Sequence, residues 1–105
     1  MIQVSVLYPN QPNAHFDFDY YGKQHMGIVR ECLGKVCKAI AVNQGLTGGA
    51  PGEAAPFIAM GHFYFDSMEA FQQSFAPHAD RIMADVANFT DIEPLIQISA
   101  VTQVP

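Results

Sequence analysis

Hydrophobic and polar residues alternate over residues 2–8, IQVSVLY. Ile2, Val4, Val6 and Tyr8 fall on one side, and Gln3, Ser5 and Leu7 on the other. A period of two predicts a strand with two different faces. Pro9 to His15 carries two prolines and two asparagines and reads as a loop. The period then lengthens. Phe18, Tyr21, His25, Ile28 and Cys32 recur at spacings of three and four, which predicts a helix with one apolar stripe widened by Met26, Val29 and Leu33. Asp17 suits the N-cap and Gly34 the stop. A second strand is predicted over 36–46, followed by the loop 47–56 with three glycines and two prolines.

Alternation returns at 57–65. Phe57, Ala59, Gly61, Phe63 and Phe65 share one face, and Ile58, Met60, His62 and Tyr64 the other. Asp66, with Glu69 three residues on, predicts a capping box opening a second helix. Its stripe is Met68, Phe71, Phe75, His78 and Ile82, and Pro77 is expected to break or kink it. Residues 89–93 connect to a last strand over 94–102. The order β-α-β-β-α-β predicts a ferredoxin-like α+β domain spanning 1–105, a four-stranded antiparallel sheet with two helices on one face.

Composition adds a constraint. Half of the 105 residues are hydrophobic and only 14% are charged, rich for so small a domain. Two helices cover one face of such a sheet, and the other face still carries large apolar residues such as Leu7. Packing against a second copy resolves that, so a homodimer is expected. Net charge is −5, and the five basic residues form no run, which argues against nucleic acid as a partner. No apolar run approaches the ~20 residues of a membrane span. No secretory signal pattern opens the chain, and Cys32 and Cys37 read as free thiols, so a cytoplasmic location is expected.

His25 is the strongest candidate for chemistry. It sits mid-stripe, aimed between helix and sheet, where burial favours a neutral imidazole able to exchange protons near pH 7. The competing reading is a core histidine that fastens the helix to the sheet. Tyr21 lies one turn earlier on the same face, where its phenol would meet the imidazole or a ligand oxygen. Tyr20 flanks the stripe at the mouth of any pocket. His62 and Tyr64 share a strand face that looks either at the helices or at a partner; the phenylalanines opposite favour the partner for His62. Asp85 to Asp91 reads mainly as a structural segment, with Phe89 plugging the core and Thr90 and Asp85 as possible pocket borders. No phosphate loop, metal-ligand spacing or serine triad stands out.

Several motifs resemble the EthD family. Phe16-Asp17-Phe18-Asp19-Tyr20-Tyr21 followed by His25 resembles its opening FDxxYYxxxH. Phe65-Asp66-Ser67 with Phe71 resembles its strand-to-helix junction, and Asp85-Val86-Ala87-Asn88-Phe89-Thr90-Asp91 with Pro94 resembles its DxxNFTDxxP segment. Tyr8-Pro9 also fits. The resemblance implies a dimeric α+β barrel, and a link to a cytochrome P450 system that degrades ethyl tert-butyl ether. Similar folds serve as lactone isomerases, polyketide cyclases, cofactor-free monooxygenases and haem-degrading enzymes. The reading is therefore a cofactor-independent isomerase or cyclase acting on a small hydrophobic cyclic or aromatic compound. His25 and Tyr21 would be its catalytic pair, and Tyr20, Tyr64, Phe89 and Thr90 its ligand contacts, with no metal and no cofactor. The alternatives are an accessory that binds a ligand for a partner oxygenase, and a haem-binding or haem-degrading protein using His78.

Overall fold

The computed structural model describes residues 1–104; Pro105, the last residue of the expected domain, lies outside them. Four strands form one sheet: β1 (Ile2–Pro9), β2 (Ala39–Gln44), β3 (Phe57–Phe65) and β4 (Leu95–Ala100), in the order β2-β3-β1-β4. All three pairings are antiparallel. Helix α1 spans residues 18–33 and α2 spans 68–84, and together they supply the split βαβ halves of a ferredoxin-like α+β fold.

The alternation decides the faces. Val4, Tyr8, Ala59, Phe63 and Phe65 are buried, all from the side of the sheet turned to the helices. The outer side reads as three rows across the strands. One is Asn43, Met60, Leu7 and Leu95; the next Ala41, His62, Ser5 and Gln97; the third Ala39, Tyr64, Gln3 and Ser99. His62 and Tyr64 thus look away from the helices. No strand residue is Asp, Glu, Lys or Arg.

Helix α1 begins where expected, with the Asp17 carboxylate accepting from Tyr20 N–H at 3.1 Å. It ends at Gly34, whose φ of +57° a side chain would resist. Its interior differs from a uniform α-helix. Tyr21–His25 is a π turn between α-helical Phe18–Tyr20 and Met26–Leu33. The wider turn takes up one extra residue and shifts the phase of the rest of the helix. The buried stripe therefore runs Tyr21, His25 and then Met26, Val29, Leu33, and Ile28 and Cys32, expected at its centre, move to its border.

Other boundaries also depart from the sequence reading. Strand β2 starts at Ala39 because a 3-10 turn, Gly34–Val36, follows α1. The cap of α2 is Ser67, whose hydroxyl accepts from Ala70 N–H at 3.0 Å; Asp66 stands just outside. The break at Pro77 is the expected one: it divides α2 into Met68–Phe75 and Ala79–Ala84, joined by a 3-10 turn over Ala76–His78. A second 3-10 turn, Asp85–Asn88, closes it.

Candidate functional site

An aromatic cluster fixes the start of α1 against the end of α2. Tyr8, Phe16, Tyr21 and Phe89 meet edge-on or tilted at ring separations of 4.9–5.9 Å. Tyr8, Tyr21 and Phe89 are essentially inaccessible; burial of each stabilises the fold by about 2–3 kcal/mol. Backbone bonds reinforce the seam: Asp17 N–H donates to Phe89 C=O at 2.8 Å, and Phe16 bridges Thr90. This clamp brings the π turn of α1 beside Asp85.

His25 Nδ1 lies 2.9 Å from Asp85 Oδ2, both side chains buried. The other carboxylate oxygen accepts from Tyr20 O–H at 2.6 Å and from Asn88 Nδ2 at 2.9 Å. Asn88 Nδ2 also reaches Tyr20 Oη at 3.3 Å. Burial opposes ionisation of Asp85, but the bonds from Tyr20, Asn88 and His25 outweigh it and hold its carboxyl below the usual range. Burial also pulls His25 below the ordinary imidazole value, against the opposing pull of Asp85. The pair is therefore a carboxylate beside a neutral imidazole. Nδ1–H donates to Asp85, and Nε2 keeps a free lone pair.

His25 lines a cavity of about 90 Å³ between the helices and the sheet. Its walls are otherwise almost wholly apolar, among them Val4, Val6, Met26, Phe71, Ile82 and Ile96. Ligand clefts commonly run to ~300–1,000 Å³, so this one suits a small molecule. Its lining includes two exposed side chains, Met83 on α2 and Ile96 on β4, which mark the open side.

The remaining aromatic at the site is Tyr21. Its ring stacks on His25 at 5.8 Å with 17° between planes. In a π turn, residues four apart lie nearly above one another, which produces this stack. Its hydroxyl is fully enclosed, faces the Tyr8 hydroxyl without a well-formed hydrogen bond to it, and sits where a Cβ on Gly61 would be. Burial raises the pKa of Tyr21, as it does that of neighbouring Tyr8.

The EthD domain model matches residues 13–93, a span that includes α1, β3, α2 and the Asp85 turn. The chain belongs to the EthD family. It is also similar to the crystal structure of an EthD-like protein from Ralstonia eutropha JMP134: 42% identity, TM-score 0.92, 97% of this chain and 92% of that one covered. An EthD family protein from Bacillus halodurans C-125 follows at 20% identity and TM-score 0.74, covering 97% and 99%. A dimeric ferredoxin-like protein of unknown function from Thermobifida fusca YX shares the fold at 14% identity and TM-score 0.58, covering 95% and 90%. No curated protein matches the chain.

Within this EthD domain the candidates from sequence separate into two groups. His25, Tyr21, Tyr20 and Phe89 come together, with the Phe89 ring 4.7 Å from the imidazole, but only His25 and Tyr21 line the cavity; Tyr20 and Phe89, expected as ligand contacts, stand behind the imidazole and its carboxylate instead. Thr90 lies nearby but is spent on the backbone: its hydroxyl donates to His15 C=O at 2.6 Å and accepts from Ile92 N–H. Tyr64 lies on the opposite face of the sheet, accepting from Gln3 Nε2 at 2.7 Å, and does not reach the cavity. His78 does not line the cavity either. Among the described residues no group of three or more His, Cys, Asp or Glu could hold a metal ion, and no helix is long and apolar enough to cross a membrane. Sequence reasoning passed over Asp85 as the partner of His25, and Asn88 with it. The available signal was a carboxylate three residues after Ile82, at the inward edge of the second helix's stripe.

Proposed function

We propose that this EthD-family chain binds a small hydrophobic cyclic or aromatic compound and moves a proton on it, as a cofactor-independent isomerase or cyclase. The observation that carries this reading is His25, held by an ionised Asp85 and lining an otherwise apolar cavity. Nε2 takes a proton from a carbon beside a carbonyl, leaving an enolate and an imidazolium. Asp85 stabilises the imidazolium, and the proton returns to a different carbon. Tyr20 and Asn88 position Asp85. Tyr21 positions His25 through its stacked ring, since its hydroxyl is turned to Gly61. The absence of charge on the sheet's outer face, and the dimeric relative of the same fold, support a homodimer. A cytoplasmic location belongs to the same reading.

The test is deuterium exchange and turnover by NMR over a panel of small cyclic ketones, lactones and phenols in D₂O. Wild type is expected to exchange protons beside the carbonyl, and His25→Asn to lose ~10²–10⁴ of that rate with its fold intact. An equal rate in His25→Asn ends the proposal. Saturable binding with no exchange in wild type favours an accessory that holds a ligand for a partner oxygenase.

A further inference from the structure

The outer sheet face carries a histidine that the proposed chemistry does not use. His62 Nδ1 lies 2.9 Å from Ser5 Oγ on the neighbouring strand. Ser5 is buried although it faces away from the helices. In their row, Ala41 flanks His62 and Gln97 flanks Ser5. All five basic and all ten acidic residues of the chain lie outside the strands. A face with no charge is not the usual surface for water, where a quarter or more of positions are commonly charged. It is complementary to itself, because two copies bury no ionised group against each other.

We propose that the pairing of two copies through this face is proton-linked at His62: the pair forms with neutral imidazoles and weakens as they are protonated. The inference rests on the homodimer reading above and adds its control. A protonated His62 finds no counter-charge. Strands β1, β2 and β4 present no titratable side chain beside it, and on β3 only Tyr64 does, with its hydroxyl tied to Gln3. A twofold partner brings the same charge-free face. Ser5 can accept a bond from the imidazolium but cannot neutralise it. Burial already lowers the pKa of His62 within one chain, and covering the face deepens that effect.

Sedimentation equilibrium of the full chain at pH 7.5 and 5.5 tests this, with circular dichroism to establish that both samples are folded. Two imidazoles per dimer, each already below the usual 6.5 in the single chain, predict a dissociation constant several-fold, and at most about 100-fold, weaker at pH 5.5. His62→Gln is expected to dimerise equally at both values; His62→Phe serves if the glutamine variant does not fold. A wild-type dimer of unchanged strength at pH 5.5 overturns the proton linkage while leaving the dimer, as does the same weakening in the His62 variant. A monomer at pH 7.5 and 100 µM overturns both readings.

Discussion

His25 and Asp85 lie 60 residues apart in the chain and 2.9 Å apart in the fold, and the carboxylate between them and Tyr20 has a donor on each oxygen. Such an arrangement is asymmetric in its energetics. Intact, its charge-assisted bonds contribute modestly; opened, it strands the buried His25 donor, while the half-buried Tyr20 and the exposed Asn88 can turn to water. Asp85→Ala removes the acceptor for His25, Tyr20 and Asn88 together. It is expected to cost about 2–4 kcal/mol in urea denaturation. Asp85→Asn keeps the shape but withdraws the charge that stabilises an imidazolium. That variant is expected to stay folded and to lose ~10²–10⁴ of exchange activity.

The phase of α1 gives a second prediction. The π turn makes Val29 a core residue, 2% exposed, while Ile28 sits at the edge. Val29→Ala is expected to cost about 2 kcal/mol and Ile28→Ala about 1 kcal/mol or less, although isoleucine is the larger side chain. Equal costs in chemical denaturation, or the reverse order, contradict the shifted stripe.

These two sites also mark the limits of the sequence as a guide. Strict alternation made β3 readable residue by residue, because a strand with one buried face admits a single phase. The stop at Gly34 and the cap at Asp17 were equally legible, since each acts on its own backbone. The phase of α1 was not, because 3.6-residue spacing assumes an unbroken α-helix and nothing in YGKQH announces the wider turn. The His25–Asp85 pair was hidden for another reason. It is made by the aromatic clamp of Tyr8, Phe16, Tyr21 and Phe89, a tertiary event without a local pattern. Tyr64 was legible only as far as its face, and the face turned out to be the outer one.

Acid should weaken the fold through the same pair. Burial holds the folded-state pKa of His25 below the unfolded value, so the unfolded chain binds the proton more readily. Its contribution is complete above about pH 6.5 and is lost as pH falls toward the folded value, at no more than about 1.4 kcal/mol per pH unit. Asp85 is also lowered, so its contribution persists to lower pH and disappears only as pH falls through its own folded value. Unfolding free energy is expected to be flat from pH 8 to 7 and to decline below 6.5. His25→Gln should flatten part of that decline. His62, also lowered by burial, contributes in the same direction, and an undiminished slope in the variant would remove His25 as a source.

Gly61 and Tyr21 supply a coupled test of the core beneath the site. The phenol hydroxyl occupies the space of a Cβ at Gly61, and it has no well-formed hydrogen bond there. Gly61→Ala therefore forces either β3 or the Tyr21 ring to move, and is expected to cost about 1–3 kcal/mol. Tyr21→Phe removes the colliding atom together with a buried hydroxyl that has at best a poor bond to Tyr8, so alone it should change stability by no more than about 1 kcal/mol. In the double variant the cost of Gly61→Ala should fall by half or more. The relief stays incomplete because Phe63 Cε2 stands 3.3 Å from the same Cβ position. A double-mutant cycle by urea denaturation reads the coupling directly. Strict additivity would mean that the hydroxyl does not lie over Gly61, and the stacked placement of His25 would lose its anchor.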